Sequence, residues 1–335
     1  EVSLEASDIQ SAHITNFNAE LFCNQGLLGG IFAGLHPDLS GVPTMRHEAA
    51  CASGSMGILS AMAEIESGRY DLVCVLGLEY MRNVAAKTAA EYLGTAAYQG
   101  REWSDCGFLW PRAFSDLAGA YSARYGEINY QHLGEIARIN YDNATRNPNS
   151  QTRQWTFKPD SFRDDDDANP VVEGTVRRND CGQVTDGGAA IFLASKSRAQ
   201  AYAKARGVTL DKLAKIDGWG HQTAPMLFTD KLTAGRKTPF VLPQINATIR
   251  QAFTRAEIGD VFALDTIETH DCFAMTEYAA IDSFGITAPG ESWKAVEEGI
   301  ITMQGRLPMN PSGGLIGLGH PVGATGVRMM LDCYR

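Results

Sequence analysis

No apolar stretch of the chain approaches the ~20 residues that a membrane-spanning helix requires. Its longest runs, such as Asp71-Leu-Val-Cys-Val-Leu-Gly-Leu78, have strand length. Nor is there a Cys-x-x-Cys pair: the seven cysteines, at positions 23, 51, 74, 106, 181, 272 and 333, are odd in number and scattered. That pattern suggests neither a disulfide framework nor a structural zinc site, so no metal is expected. Basic residues are not in excess either. Twenty-nine Lys and Arg against 39 Asp and Glu leave a formal charge of −10, which argues against nonspecific nucleic-acid binding and makes any polyanionic ligand depend on a local basic patch. No secretory signal is visible. The expectation is a soluble chain in a reducing, cytoplasmic setting, with peroxisome or mitochondrion open for a eukaryotic source. What the chain does have is apolar material: 44% hydrophobic residues over 335 positions supply enough for two substantial cores and exclude collagen, coiled coil and wholesale disorder.

Apolar strand-length and helical patterns alternate, which points to an α/β fold. A helix is expected over Ala52 to Ser67, stopped by Gly68, and then a buried parallel-type strand over Asp71 to Leu78. The span Arg82 to Asp180 is different. It is rich in Tyr, Trp, Arg, Asn and Pro, carries the acidic run Asp164 to Asp167, and has helical patches at Phe114–Tyr125 and His132–Asn143. It reads as an excursion from the core. A turn and a short strand follow over Gly182 to Ala194, then helices at Ser195–Arg206 and near Pro243–Ala256, and an apolar-ended segment at Phe262–Ile267. Two places share one design: His47-Glu-Ala-Ala-Cys51 leads into the first helix, and His270-Asp-Cys-Phe273 leads into a helical stretch over Ala274 to Phe284. The likeness hints at an internal duplication.

Cys51 precedes Ala52-Ser-Gly-Ser-Met-Gly57, a small-residue run that permits a sharp strand-to-helix turn. A cysteine there feels the positive end of the helix, which is expected to lower its pKa, and free N–H groups nearby could hold an oxyanion. The other reading, a buried cysteine in a tight packing turn, stays open. Near the end lies Asn310-Pro-Ser-Gly-Gly-Leu-Ile-Gly-Leu-Gly-His-Pro-Val-Gly-Ala-Thr-Gly326, too glycine-rich for a regular helix or central strand. Its spacing fits neither a Walker A loop nor the dinucleotide fingerprint. His320, fixed by Pro321, is either a rigidly presented imidazole or a surface loop histidine. A nucleophilic cysteine with a histidine is a general arrangement for acyl transfer through a thioester.

These blocks resemble the thiolase family. His47 to Ser55 is similar to the nucleophile block, Cys181 to Ala190 to the C-x-x-T-D-G-A-A-A segment, and Gly319 to Gly326 to the histidine loop, in family order. His270-Asp271-Cys272-Phe273 followed by Glu277 resembles the sterol-carrier-protein type of thiolase, an acetyl-CoA acetyltransferase-like group. The resemblance implies a five-layer αβαβα fold of two similar halves, 1–196 and 197–335, with a loop domain at about 82–180 inserted in the first half to cover coenzyme A. It also implies a homodimer or homotetramer, with a small partner subunit possible in some members.

Carried over, the resemblance implies that Cys51 attacks an acyl-CoA to form an acyl-enzyme while His320 takes the thiol proton, in a reaction that makes or cleaves 3-ketoacyl-CoA. Cys272 is the candidate acid/base for the α-carbon of the acceptor, with a packing role left open, and His270 a donor to the thioester oxygen. Asp271 orients neighbours or caps the helix. No permanently bound cofactor is implied; coenzyme A and acyl-CoA are substrates. Arg146, Arg153, Lys158, Arg177 and Arg178, with Ser312 and Gly313, are the candidates for holding coenzyme A, and most of these cations are equally readable as solvated surface charges. Gly218 to Pro225 resembles the stretch that passes near the pantetheine, with His221 expected to be structural. Thiolases carry a further Cys-x-Gly segment well downstream of the histidine loop, and Cys333 is too close to His320 to be it, so an incomplete chain is the expectation. Two alternatives remain beside the acyltransferase: a thiolase-like aldolase or lyase on a CoA ester with a partner subunit, and a non-catalytic CoA-ester-binding subunit.

Overall fold

The computed structural model describes residues 3–334. In chain order its strands are β1 (Ser11–Thr15), β2 (Thr44–His47), β3 (Leu72–Glu79), β4 (Val171–Glu173), β5 (Val176–Arg177) and β6 (Gly187–Ala194). Four of them form one sheet in the order β2-β1-β3-β6. β1 runs parallel to both β2 and β3, whereas β6 pairs antiparallel to β3, with Val75 opposite Ile191. Every residue of β1 is buried, as a strand flanked by parallel neighbours and covered on its faces should be.

The described chain divides into two compact units. The first comprises 3–92, 184–215 and 320–334. The sheet lies here, with a core that includes Ala12, Ile14, Leu28, Phe32, Leu39 and Cys74. Helix Ser53–Glu66 packs on the sheet and ends where expected, at Gly68, whose φ of 70° is the left-handed conformation glycine adopts without strain. Helices Lys196–Ala205 and Thr325–Tyr334 belong to the same unit.

The second unit comprises 93–183 and 216–319. The polar excursion proves largely helical: Leu109–Tyr125 and Tyr130–Arg146, longer than the patches in the sequence, are followed by the β4-β5 hairpin. Both helices join Ala274–Phe284 in a core that includes Leu117, Ile136, Tyr141, Met275, Ile281 and Met309. Over 216–319 regular strand pairing is reduced, among the described residues, to isolated bridges, Ile267 with Met309 and Phe273 with Cys181. Phe262 lies in a short 3₁₀ turn, Val261–Ala263. The glycine-rich run takes the unusual path foreseen for it: Gly314–Leu318 forms a π-helical turn between Gly313 (φ 104°) and Gly319 (φ 127°). No described helix is long and apolar enough to cross a membrane.

Candidate active site

β2 ends at His47, and three residues later the chain turns sharply. Ala50 has φ 49°, left-handed backbone that a residue with a β-carbon adopts only when its surroundings enforce it. Here they do. Glu48 Oε1 accepts the Ala50 N–H at 2.6 Å, while Ser53 Oγ accepts the Ala49 N–H at 2.9 Å and donates to Ala50 O at 2.7 Å. Cys51 sits on this elbow, in the 3₁₀ turn Ala50–Ala52 that opens into helix Ser53–Glu66.

His320 arrives from the glycine-rich loop. Its N–H donates to Thr185 Oγ1 at 2.7 Å, and it bridges to Val184 in parallel register. The neighbouring Asp186 accepts the N–H groups of Met81 and Arg82 at 2.6 and 2.8 Å. Thus the Thr-Asp-Gly segment is a bracket, tying the histidine loop on one side and the end of β3 on the other.

The imidazole Nε2 lies 3.3 Å from Cys51 Sγ, and Nδ1 lies 2.7 Å from Thr325 Oγ1. Thr325 is fully buried, and its hydroxyl donates to Pro321 O at 3.0 Å. With that hydrogen engaged, the hydroxyl oxygen must accept from His320, so the Nδ1 carries the proton and the bare Nε2 faces the sulfur. Cys51 and His320, nominated separately by the sequence, are therefore brought together.

The expected lowering of the Cys51 pKa is overturned. Burial, with a smaller contribution from the Glu79 carboxylate, pushes the thiol up to about 12 despite a backbone hydrogen bond that favours the thiolate. The residue stays partly accessible, yet its sulfur is crowded by protein atoms. The helix end does not compensate, because the Ala52 and Ser53 N–H groups already donate to Ala49 O and Ala50 O. They are not the free oxyanion donors the sequence suggested. The resting sulfur is thus a neutral thiol facing an imidazole nitrogen, an arrangement in which a base removes the proton as the sulfur attacks.

His270 and Cys272 stand in the second unit, just before helix Ala274–Phe284, whose capping residue Phe273 stacks on Phe114 at 4.3 Å. Cys272 O accepts the Gly182 N–H at 2.8 Å. Asp271, fully buried, does more than cap a helix: it accepts the N–H groups of Leu315 and Ile316 at 2.5 and 3.2 Å, holding the π-helical turn. Asn140 Nδ2 donates to Asp271 at 2.9 Å and to Glu277 at 2.6 Å, and Asn310 Nδ2 also reaches Glu277 at 2.8 Å. Burial first and Asp271 second push the Glu277 carboxyl well up from its ordinary value.

The remaining candidates divide. Arg146, Arg153, Lys158 and Arg178 are exposed. Arg177 is buried, with its guanidinium bonded to Asp164, Asp166 and the Asn169 carbonyl, so its charge is neutralised inside the second unit rather than offered to a ligand. Ser312 Oγ donates to Glu268 at 2.7 Å, and Gly313 lies against Ala144, where a β-carbon would come within 2.7 Å of that residue's own. Lys158 and Arg178 line a cavity of about 690 Å³ in the second unit, together with Trp155, Gln183 and the acidic Asp160 and Asp165. His221 is exposed. Thr185, Asp186, Thr325 and Glu79 received no role from the sequence, although the first three lie inside blocks that were singled out.

A cysteine on a strained elbow, opposed by a histidine from a glycine-rich loop on an α/β unit, defines a class, and family models agree on which. The model described as "Thiolase, N-terminal domain" matches residues 3–163, and "Thiolase C-terminal domain-like" matches residues 229–335; the chain belongs to the thiolase family. It is 31% identical over 333 residues to the acetyl-CoA acetyltransferase of Methanothermobacter thermautotrophicus, spanning 98% of this chain and 79% of that protein. Sterol carrier protein 2 of Homo sapiens is 26% identical over 307 residues, 89% of this chain and 53% of its own length. Among solved structures, the Ltp2-ChsH2(DUF35) aldolase aligns with a TM-score of 0.70 at 16% identity, covering 98% of this chain and 79% of its own. An acetyl-CoA acetyltransferase from Syntrophomonas wolfei aligns with a TM-score of 0.67 at 16% identity, covering 99% and 82%. The thiolase fold expected from the three sequence blocks is borne out.

Proposed function

We propose that the protein is a thiolase-type acyltransferase that makes or cleaves 3-ketoacyl-CoA through an acyl-enzyme on Cys51. The observation that carries this reading is the 3.3 Å approach of the His320 Nε2 to the Cys51 sulfur, with the tautomer set by Thr325. The sulfur attacks the thioester carbonyl as its proton passes to Nε2. The tetrahedral intermediate then collapses, and the departing CoA sulfur takes that proton back, leaving the acyl group on Cys51. In the second step Cys272 removes a proton from the α-carbon of the acceptor, with His270 donating to the thioester oxygen. The resulting carbanion attacks the acyl-enzyme and expels the Cys51 thiolate, which regains a proton by way of His320 as Cys272 gives up the one it took from the α-carbon. Coenzyme A is a substrate, and Lys158 and Arg178, beside the Trp155 ring, are the cations we assign to its phosphates.

Incubation with acetoacetyl-CoA should leave an acetyl group on the Cys51 peptide, detectable by mass spectrometry, and Cys51→Ala should abolish both adduct and thiolysis. A lyase or a binding-only subunit would retain its behaviour in Cys51→Ala. The intact Cys51–His320 pair favours the acyltransferase over both.

A further inference from the structure

We propose that Glu79 is a positioning residue for the Cys51–His320 pair: from the end of β3 it grips the Gly323 peptide and so sets where the imidazole stands relative to the sulfur. The inference deepens the acyl-transfer reading and rests on it. Glu79 is 3% exposed, and both of its oxygens are saturated by neutral donors. Oε2 accepts the N–H groups of Phe17 and Gly323, each at 2.8 Å; Oε1 accepts Asn16 Nδ2 at 2.8 Å and the Asn18 N–H at 3.2 Å.

The next peptide along is held as well, because Gly323 O accepts from Thr15 Oγ1 at 2.7 Å. Two side chains at strand ends therefore clamp Gly323 of the histidine loop by both of its peptides. There is no slack around it. A β-carbon on Gly323 would lie 2.4 Å from Asn16 Cα and 2.7 Å from Glu79 Oε2, and one on Gly77 would lie 2.7 Å from Ala324 Cα. Only Pro321 and Val322 separate Gly323 from His320, and the proline ring fixes its own φ, so a displaced Gly323 drags the imidazole with it.

Chemistry also distinguishes this clamp from a plain tether. A carboxylate buried on neutral N–H donors, with no cation bonded to it, is expensive to keep, and such groups concentrate at functional sites. The titratable groups facing it are Cys51, Cys23 and, more distantly, Arg46. Its charge adds to burial in keeping Cys51 protonated until the substrate arrives.

The test pairs two variants and two readouts: alkylation of Cys51 by iodoacetamide across pH, followed by mass spectrometry, and acetoacetyl-CoA thiolysis. Glu79→Gln keeps the size but removes the charge and places an NH₂ against donors. Its alkylation profile should move to lower pH, and kcat should fall about tenfold or more with KM within about twofold of the parent. Thr15→Val removes the second grip without changing charge, so kcat should fall while the alkylation profile stays in place. Parent-like kcat and alkylation in folded Glu79→Gln overturn the proposal; if that variant does not fold, parent-like kcat in Thr15→Val does so. Because alkylation needs no acyl transfer, a shifted profile in a protein that never cleaves acetoacetyl-CoA would uphold the role of Glu79 and contradict the proposed function instead.

Discussion

Gly54 and Gly326 stand back to back. A β-carbon on Gly54 would lie 2.6 Å from Val327 N and 2.7 Å from Gly326 Cα, and one on Gly326 would lie 2.8 Å from Ser55 N. All the obstructing atoms are backbone, so no side chain can give way. The contact joins the first turn of the Cys51 helix to the first turn of the helix that follows His320. The sulfur–imidazole spacing inherits its precision from this crossing of two bare backbones.

Gly54→Ala should therefore cost about 1–3 kcal/mol of stability through overpacking. Its activity should fall further than its thermal melt implies, because any relief separates Cys51 from His320. Melting temperature and thiolysis rate, measured together, check this; a destabilised variant of full specific activity would contradict it.

His320→Ala should leave the fold intact by circular dichroism. Burial holds the Cys51 thiol near pKa 12, and the variant loses the imidazole nitrogen that stands 3.3 Å from the sulfur. The rate of thiolysis should drop about 10²–10⁴-fold. Alkylation of Cys51 at neutral pH should slow in parallel.

Thr325→Val removes the acceptor that keeps the proton on the His320 Nδ1. The imidazole then samples the tautomer that points N–H at the sulfur. We expect kcat to fall about tenfold with little change in KM, and Thr325→Ser to restore it, since serine keeps the hydroxyl. Equal loss in both variants would point to packing of the threonine methyl instead.

Glu277 makes a pH prediction. Its carboxyl is raised above the ordinary 4.5 by burial and by Asp271, so the folded protein holds that proton more tightly than the unfolded chain. The associated stability is complete below the unfolded value and is lost as pH climbs through the raised folded one. Glu277→Gln stays neutral throughout. Its melting temperature should decline less than the parent's between about pH 5 and pH 9, and parallel curves would contradict the shift.

Much of this was legible in the sequence, for physical reasons. Helix Ser53–Glu66 is marked by a small-residue start and a left-handed glycine stop, and Ala274–Phe284 by its uninterrupted helix formers. The glycines of 313–319 announced a path closed to other residues. Other features leave no local trace. An apolar run such as 187–194 does not encode whether its neighbour runs parallel, and β6 proved antiparallel to β3. Arg177 reads as a free cation until folding brings Asp164 and Asp166 onto it from thirteen and eleven residues upstream. The thiol of Cys51 was misjudged because the helix end is a local feature, whereas the burial that outweighs it comes from the tertiary fold. Glu79 was invisible for the same reason: its partners lie 62 and 244 positions away.

The most direct measurement is a mass-spectrometric trap of the Cys51 peptide after brief exposure to acetoacetyl-CoA, with His320→Ala run alongside. Acetylation of that one cysteine in the parent, and its near absence in the variant, is the expected result. An unmodified Cys51 in a protein that still consumes the substrate would contradict the claim that this sulfur, deprotonated by this histidine, carries the acyl group.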